Sequence, residues 1–443
     1  MIVGIKHWLH MHRFILSVLL ASLFVTPSYA AGNGVGPDPA LPAPQSSLVP
    51  TVNIAPAKGW PAGMTPKAAP GFKVNMFAKD FDHSRWIYVL PNNNVLVAET
   101  DAPPKPDEKP SIKGFVMKKV MNAAGSQKRP SADRITLLRD TDNDGVADLR
   151  SVFLENLRSP LGMVLVGNDF YVANADSLVR YPYKTGQTKI TDKETRVMNL
   201  PGLPLNHHWT KNVVVSADNS KLYISVGSNS NVGENGLDKE VGRAAIHEYD
   251  LKTGKSRIYA SGLRNPNGLA INPVNGVLWT AVNERDELGN DLVPDYMTSV
   301  KDGGFYGWPY SYFGQNVDTR VKEQRPDLVA KAIKPDYALG AHTASLGLTF
   351  YNKDLFPSMY RNGAFIGQHG SWNRKPHSGY KVIFVPFKNG MPAGDPQDIL
   401  TGFLDKDGNA LGRPVGVTPD QKGALLVADD VGNVVWRIVP DKR

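Results

Sequence analysis

The chain has 443 residues, 41 % hydrophobic and 21 % charged, which is the make-up of a folded globular protein able to bury a sizeable core and excludes a disordered chain. It holds no cysteine, which excludes disulfides, thiolate metal sites, a cysteine nucleophile and covalently attached c-type haem. The formal charge of +8 makes it basic.

The chain opens with Lys6 and Arg13, then the apolar run from Phe14 to Val25, then Ser28-Tyr29-Ala30. That order of charge, apolar run and small residues predicts a secretory signal over residues 1–30, cleaved after Ala30, and export to a bacterial periplasm. The run is short of the about 20 apolar residues a membrane span needs, so no stable transmembrane anchor is expected. Export argues against a nucleic-acid partner. Residues 31–70 are rich in proline, alanine and glycine and carry no apolar periodicity, which reads as a tether or an extended wrap. Between Lys105 and Arg129 the residues Lys113, Lys118, Lys119, Lys128 and Arg129 have few acidic neighbours, as in a solvated loop face or a docking surface for an acidic partner or anionic membrane.

From Phe72 onward, apolar stretches of four to eight residues alternate with Gly, Asn, Asp and Pro, which predicts an all-β fold over residues 71–443. One pattern recurs six times: a loop, an apolar strand, a polar turn and a second apolar strand. The copies span Trp86 to Glu99, Ser159 to Asn174, Asn212 to Gly227, Asn265 to Val282, Ser345 to Gly367 and Arg413 to Ala428, and the starts at Ser159, Asn212 and Asn265 are 53 residues apart. Each reads as the inner two strands of a blade, so the expected architecture is a six-bladed β-propeller, with room for insertions from Thr100 to Arg134 and from Asn283 to Ala344. Loops at one mouth of such a scaffold are where chemistry is expected.

Asp140, Asp142, Asp144 and Asp148, with Gly145 at the sixth position, have the spacing of a calcium loop, although Ser151 stands where a bidentate Glu belongs; an acidic turn is the plain alternative. His207 and His208 precede the third copy, where either could act as a general base or serve as a hydrogen-bonded structural residue. Gly262-Leu-Arg-Asn-Pro-Asn-Gly268 opens the fourth copy and would aim Arg264 and Asn265 at one point, either toward a ligand or back onto loop carbonyls. The acid-rich stretch Asn283 to Asp295 could hold a cation. The aromatic Gly303 to Gly314 loop could cover a flat cofactor or a sugar, or pack in the core. His369, Arg374 and Arg413 follow in the fifth and sixth copies and would make the mouth cationic, favouring an acidic ligand.

Together, the Gly-Leu-Arg-Asn-Pro-Asn-Gly loop, Gly-Phe-Tyr-Gly-Trp-Pro, His208-Trp-Thr-Lys-Asn212 and Gly367-Gln-His-Gly-Ser-Trp-Asn-Arg374 resemble the sorbosone dehydrogenase family, related to the soluble aldose and glucose dehydrogenases that depend on pyrroloquinoline quinone (PQQ). The resemblance implies PQQ in the mouth of the propeller beside a calcium ion, with an aldose or aldehyde as substrate. It implies His208 as general base and Arg264 and Asn265 on the quinone. It places Arg413 on a PQQ carboxylate, His369 or Arg374 where relatives use a lysine, and the backbone carbonyls of Glu284 and Arg285 on calcium. Near Ser228, glucose dehydrogenases carry an Asp facing the base, so the substrate need not be glucose. With no haem motif, electrons would leave to a separate periplasmic acceptor. Two other readings compete: a calcium-dependent propeller hydrolase of the lactonase kind, which needs carboxylates converging on the axis, and a non-catalytic binding propeller.

Overall fold

The computed structural model describes residues 34–45, 51–104, 123, 125, 130–202 and 206–441. The signal expected over residues 1–30 and the five basic residues picked out between 105 and 129 lie outside them. Six four-stranded antiparallel sheets stand around one axis as a six-bladed β-propeller. Blade 1 is Ser84–Val89, Val95–Glu99, Arg134–Arg139 and Leu149–Leu154, and blade 2 is Met163–Val166, Asp169–Ala173, Ser177–Pro182 and Thr195–Asn199. Blade 3 is Val213–Val215, Lys221–Val226, Ala245–Asp250 and Ser256–Ser261. Blade 4 is Pro266–Ile271, Leu278–Val282, Pro294–Ser299 and Tyr337–Ala341. Blade 5 is Ser345–Phe350, Ala364–Gln368, Lys381–Val385 and Gln397–Thr401. Blade 6 is Pro414–Pro419, Leu425–Asp429 and Val434–Pro440, with Phe72–Ala78 as its outer strand. All six repeat copies form the inner hairpins of the blades.

The apolar runs are near-continuous because both faces of every blade are covered. In Leu425-Leu426-Val427-Ala428 the odd residues pack against blade 5 and the even ones against blade 1. Six apolar clusters result, one at each junction between neighbouring blades. Each fully buried Leu, Val or Phe there contributes about 1.5–3 kcal/mol over its exposed state.

The first strands of adjacent blades touch around the axis. At Gly347 a Cβ would lie 2.2 Å from the Val415 carbonyl oxygen of the next blade. Backbone meets backbone there, so neither side can move aside cheaply. Gly347→Ala should therefore destabilise the fold by about 1–3 kcal/mol, read as a lowered midpoint of denaturant unfolding; an unchanged midpoint would contradict this account.

The gap from Asn283 to Ala344 contains the two outer strands of blade 4, and the insertion proper is residues 300–336 between them. It climbs the outside of blades 3 and 4, pairing Phe305 with Ser261, and buries Tyr306, Trp308, Tyr312 and Phe313. Tyr306, Tyr312 and Phe313 join the apolar core between blades 3 and 4, whereas Trp308 donates its indole N–H to the Asn231 carbonyl at 2.9 Å, an oxygen that also receives Arg264. Upstream, Val35–Gly36 and Lys67–Ala68 add fifth strands to blades 4 and 5.

Candidate active site

In every blade the first strand starts, and the second ends, on the same face of the ring. A β-bulge interrupts the start of the first strand in blades 1, 4, 5 and 6, which turns the loop residues toward the axis. The loops before the first strands and after the second strands thus line one mouth. His208, Arg264, Asn265, Glu284, Arg285, His369, Arg374 and Arg413 all stand on these loops. Asp140, Asp142, Asp144 and Asp148 do not: their turn joins the third and fourth strands of blade 1, at the opposite face.

His208 is held by its Nδ1, which lies 2.8 Å from the Ser228 carbonyl oxygen and 2.9 Å from Ser228 Oγ. A carbonyl can only accept, so Nδ1 carries the proton and Nε2 is left with a lone pair. Ser228 Oγ in turn donates to the Ser230 carbonyl at 2.6 Å. Burial, and after it the nearby Arg264 charge, hold the His208 pKa well below the ordinary imidazole value, so the ring is neutral at neutral pH. Gly227 makes room for this arrangement: a Cβ there would meet His208 Cβ at 2.5 Å and Asn265 Oδ1 at 2.6 Å. His208 and Asn265 are therefore side by side.

Arg264 is buried among oxygens. It donates to the carbonyls of Glu284 at 2.6 Å, Asn231 at 3.3 Å and Asn283 at 3.3 Å, to Asn231 Oδ1 at 2.9 Å, and pairs with Asp286 at 3.2 Å. Its backbone carbonyl accepts from Ser228 N at 2.7 Å, which ties it to the residue that holds His208. Asp286 also accepts from Asn373 Nδ2 at 2.8 Å and faces His342 Nδ1 at 3.5 Å. Burial works to raise its pKa, but His342, Arg264 and Asn373 outweigh burial and bring it to about 2. His342 is the converse case: burial works against its charge, yet Asp286 and the Gly289 carbonyl, 3.0 Å from Nε2, raise its pKa.

The other cations are less free than the sequence suggests. His369 points Nε2 at both oxygens of Asp430, 3.0 Å away, and Asp430 also pairs with Arg85 at 3.1 Å. Burial lowers the His369 pKa, and Asp430 opposes that shift. Arg374 pairs with Asp291 at 2.6 Å. Arg413 instead donates to the Ala55 carbonyl at 3.2 Å and stacks over the Tyr380 ring at 5.0 Å. The expectation of a broadly cationic mouth is thus corrected: Arg264, Arg374 and His369 each face an aspartate.

Arg285 turns its side chain away from the mouth. Wholly buried, it binds Glu284 and Asp318, each at 3.0 Å, and the Pro309 and Ser311 carbonyls at 3.0 and 2.7 Å, anchoring the 300–336 insertion. Glu284 N donates to Asp295, whose wholly buried carboxyl is pushed up to about 6 by burial, against the pull of its hydrogen-bond donors. On the far face, Asp140, Asp142 and Asp144 place ligand oxygens within 4.8 Å of one another, whereas Asp148 is turned to Thr141. Sequence reading missed Asn231, Asp286, His342, Asn373, Arg85 and Asp430. Asp430 and Asp286 could have been found by superposing the repeats, since both follow the end of a second strand.

The mouth sets a neutral histidine beside an arginine and an asparagine, and the chain as a whole is related to sugar dehydrogenases that use PQQ. The chain belongs to the family described as domain of unknown function DUF7133, which matches residues 70–371; a second family, TrAA12-like, matches residues 311–440. An uncharacterized protein of Borreliella burgdorferi is 31 % identical over 65 % of this chain and 77 % of its own length. The aldose sugar dehydrogenase YliI of Escherichia coli is 28 % identical over 41 % of this chain, and the match spans 50 % of that relative. The PQQ-dependent pyranose dehydrogenase of Coprinopsis cinerea is 24 % identical over 61 % of this chain and 44 % of its own length. The solved holo PQQ domain of the C. cinerea enzyme superposes with a TM-score of 0.65 at 20 % identity, covering 87 % of this chain and all of that domain, which shows the shared fold.

Proposed function

We propose that this chain is an exported PQQ-dependent dehydrogenase that oxidises an aldose sugar or an aldehyde of the sorbosone kind and passes electrons to a separate periplasmic acceptor. The observation that carries this reading is His208, neutral and fixed through Nδ1, next to Asn265 and tied to Arg264 through Ser228.

The residues present fit PQQ, a tricarboxylate quinone. Asn265 Oδ1, Asn373 Oδ1, Arg374 Nε and Arg413 Nε are buried without a hydrogen-bond partner, and buried polar atoms in that state call for a polar ligand. Arg264 and Asn265 would hold the quinone side, and His369, Arg374 and Arg413 the carboxylate side. Calcium would take the Glu284 and Arg285 carbonyls. The Glu284 oxygen already accepts from Arg264, so metal and guanidinium draw on one oxygen set.

PQQ, when bound, supplies an electrophilic carbonyl carbon that accepts hydride. The chain supplies the rest. His208 Nε2 removes the hydroxyl proton from the hemiacetal or aldehyde hydrate as its C–H bond gives up hydride. Ser228 keeps the imidazole in the tautomer that can take that proton, and Arg264, locked by Asp286 and Asn231, sets the positive field at the quinone side.

The hydrolase reading finds less support. Asp286, Asp291 and Asp430 on the mouth loops are bound by cationic or amide side chains, and among the described residues the one acidic trio close enough for an ion lies on the far face. Among these residues no helix is long and apolar enough to cross a membrane.

Reconstituting the apoprotein with PQQ, with and without calcium, should give dye reduction with members of a panel of aldoses and aldehydes. No change in PQQ absorbance and no activity would remove the dehydrogenase reading and leave a binding propeller.

A further inference from the structure

Residues 51–60 run as a strap along the mouth side of blades 5 and 6. Asn53 pairs with Asn373, its amide donates to the Trp372 carbonyl at 2.8 Å, and its Nδ2 donates to the Arg374 carbonyl at 2.7 Å. Two residues on, the Ala55 carbonyl receives Arg413 Nη2. Ala57 then pairs with Ala410, and Lys58 N donates to the Ala410 carbonyl at 2.8 Å. The strap therefore touches both loops that carry the cations assigned to the anionic end of the ligand.

Trp60 fastens the strap. Its indole N–H donates to Asp429 Oδ2 at 2.7 Å, and its ring meets Phe403 and Trp436 edge-on at 5.5 and 5.3 Å. Gly412 and Gly432 leave the space it fills, since a Cβ at either would come within 2.7 Å of the indole. The other oxygen of Asp429 accepts from Arg413 N at 2.8 Å and Gly432 N at 2.7 Å. Asp429 thus joins the anchor of the strap to the backbone of Arg413, while Ala55 holds the guanidinium of the same residue.

Arg413 is also the mouth arginine whose guanidinium rests on a carbonyl and a ring while its Nε faces no partner. A carboxylate bound there would find a charge not already spent on an aspartate, in a direction fixed from two sides by the strap.

We infer that the strap is a working part of the ligand site: Trp60 and Ala55 are positioning residues that set Arg413 for a carboxylate of the bound cofactor. This rests on the reading that the mouth takes PQQ.

The test is a double-mutant cycle on the full chain, with PQQ affinity measured by absorbance titration in the absence of substrate. Trp60→Ala and Arg413→Ala should each weaken PQQ binding by about tenfold or more, and the double variant should be no weaker than Arg413→Ala alone. Equal further loss in the Arg413→Ala background would mean that Trp60 acts only on general stability, and unchanged affinity in Trp60→Ala would mean that the strap does not act on the site; either overturns the inference. Should Trp60→Ala fail to fold, Trp60→Phe keeps a ring against Phe403 and Trp436 while removing the hydrogen bond to Asp429, and goes through the same cycle. If the wild-type chain itself shows no saturable PQQ binding, the functional reading fails and this inference with it, an outcome distinct from the other two.

Discussion

His208→Ala should lower turnover by at least about 10² while leaving PQQ affinity within about twofold. On the proposed reading the imidazole takes the hydroxyl proton, and its loss would leave water as the base. Retained turnover would move the role to another group, with His207 on the same loop the first to examine. The pH profile of the wild type carries a second readout. Protonation of Nε2 removes the base, so kcat/KM falls as pH drops through the His208 pKa. Burial and Arg264 hold that pKa well below the ordinary imidazole value of about 6.5. The rate should accordingly stay level from neutral pH down past 6.5 and fall only at more acidic values. An acid limb centred at or above 6.5 would show that His208 is solvated, or paired with an anion, in the working enzyme. The limb should be absent in whatever activity His208→Ala retains.

Arg285→Met should cost about 3 kcal/mol of stability. The wild-type guanidinium neutralises Glu284 and Asp318, neither of which is exposed, and satisfies the Pro309 and Ser311 carbonyls. Methionine fills much of the volume but takes the guanidinium donors away from Glu284, Asp318 and the two carbonyls. The loss falls at the lower end of the range for breaking buried pairs because Arg320 still reaches Asp318 at 2.7 Å. Chemical denaturation would measure it, with Arg325→Met as a control: Arg325 and Asp327 form an exposed pair, and losing it should leave the unfolding midpoint nearly unchanged. Equal effects in the two variants would refute the assignment of Arg285 as the internal anchor of the insertion.

The parts of the fold legible in the sequence were those where packing repeats. Six inner hairpins meet the same two neighbours in the same way, so Leu425 to Ala428 and Val95 to Ala98 carry one pattern. Outer strands meet solvent on one side and obey no such rule: Thr195–Asn199 and Ser256–Ser261 are largely exposed, mix polar with apolar residues and gave no signal. The aromatic loop from Gly303 to Gly314 was ambiguous for another reason, since Trp308 can cover a ligand or a core and only its neighbours decide. In the site, the loops carrying His208, Arg264 and Arg413 stood out by position in the repeat. Their partners did not, because Asp286 and Asp430 matter through contacts that cross blades. Arg285 shows the same limit: it was chosen for its carbonyl, and its side chain proved to hold the insertion.

The outer strand of blade 6 comes from Phe72–Ala78 and zips to Val434–Pro440, the last strand of the chain. The toroid consequently stays open until Val434–Pro440 has paired with Phe72–Ala78. Pairing partners more than 350 positions apart meet late, at the high loop-closure cost that slows β-rich folding. Before that pairing five blades can form but no ring, and the mouth takes shape only when these two strands lock. Loss of Val434–Pro440 would thus act on the whole circle at once, however far from the mouth loops those residues lie.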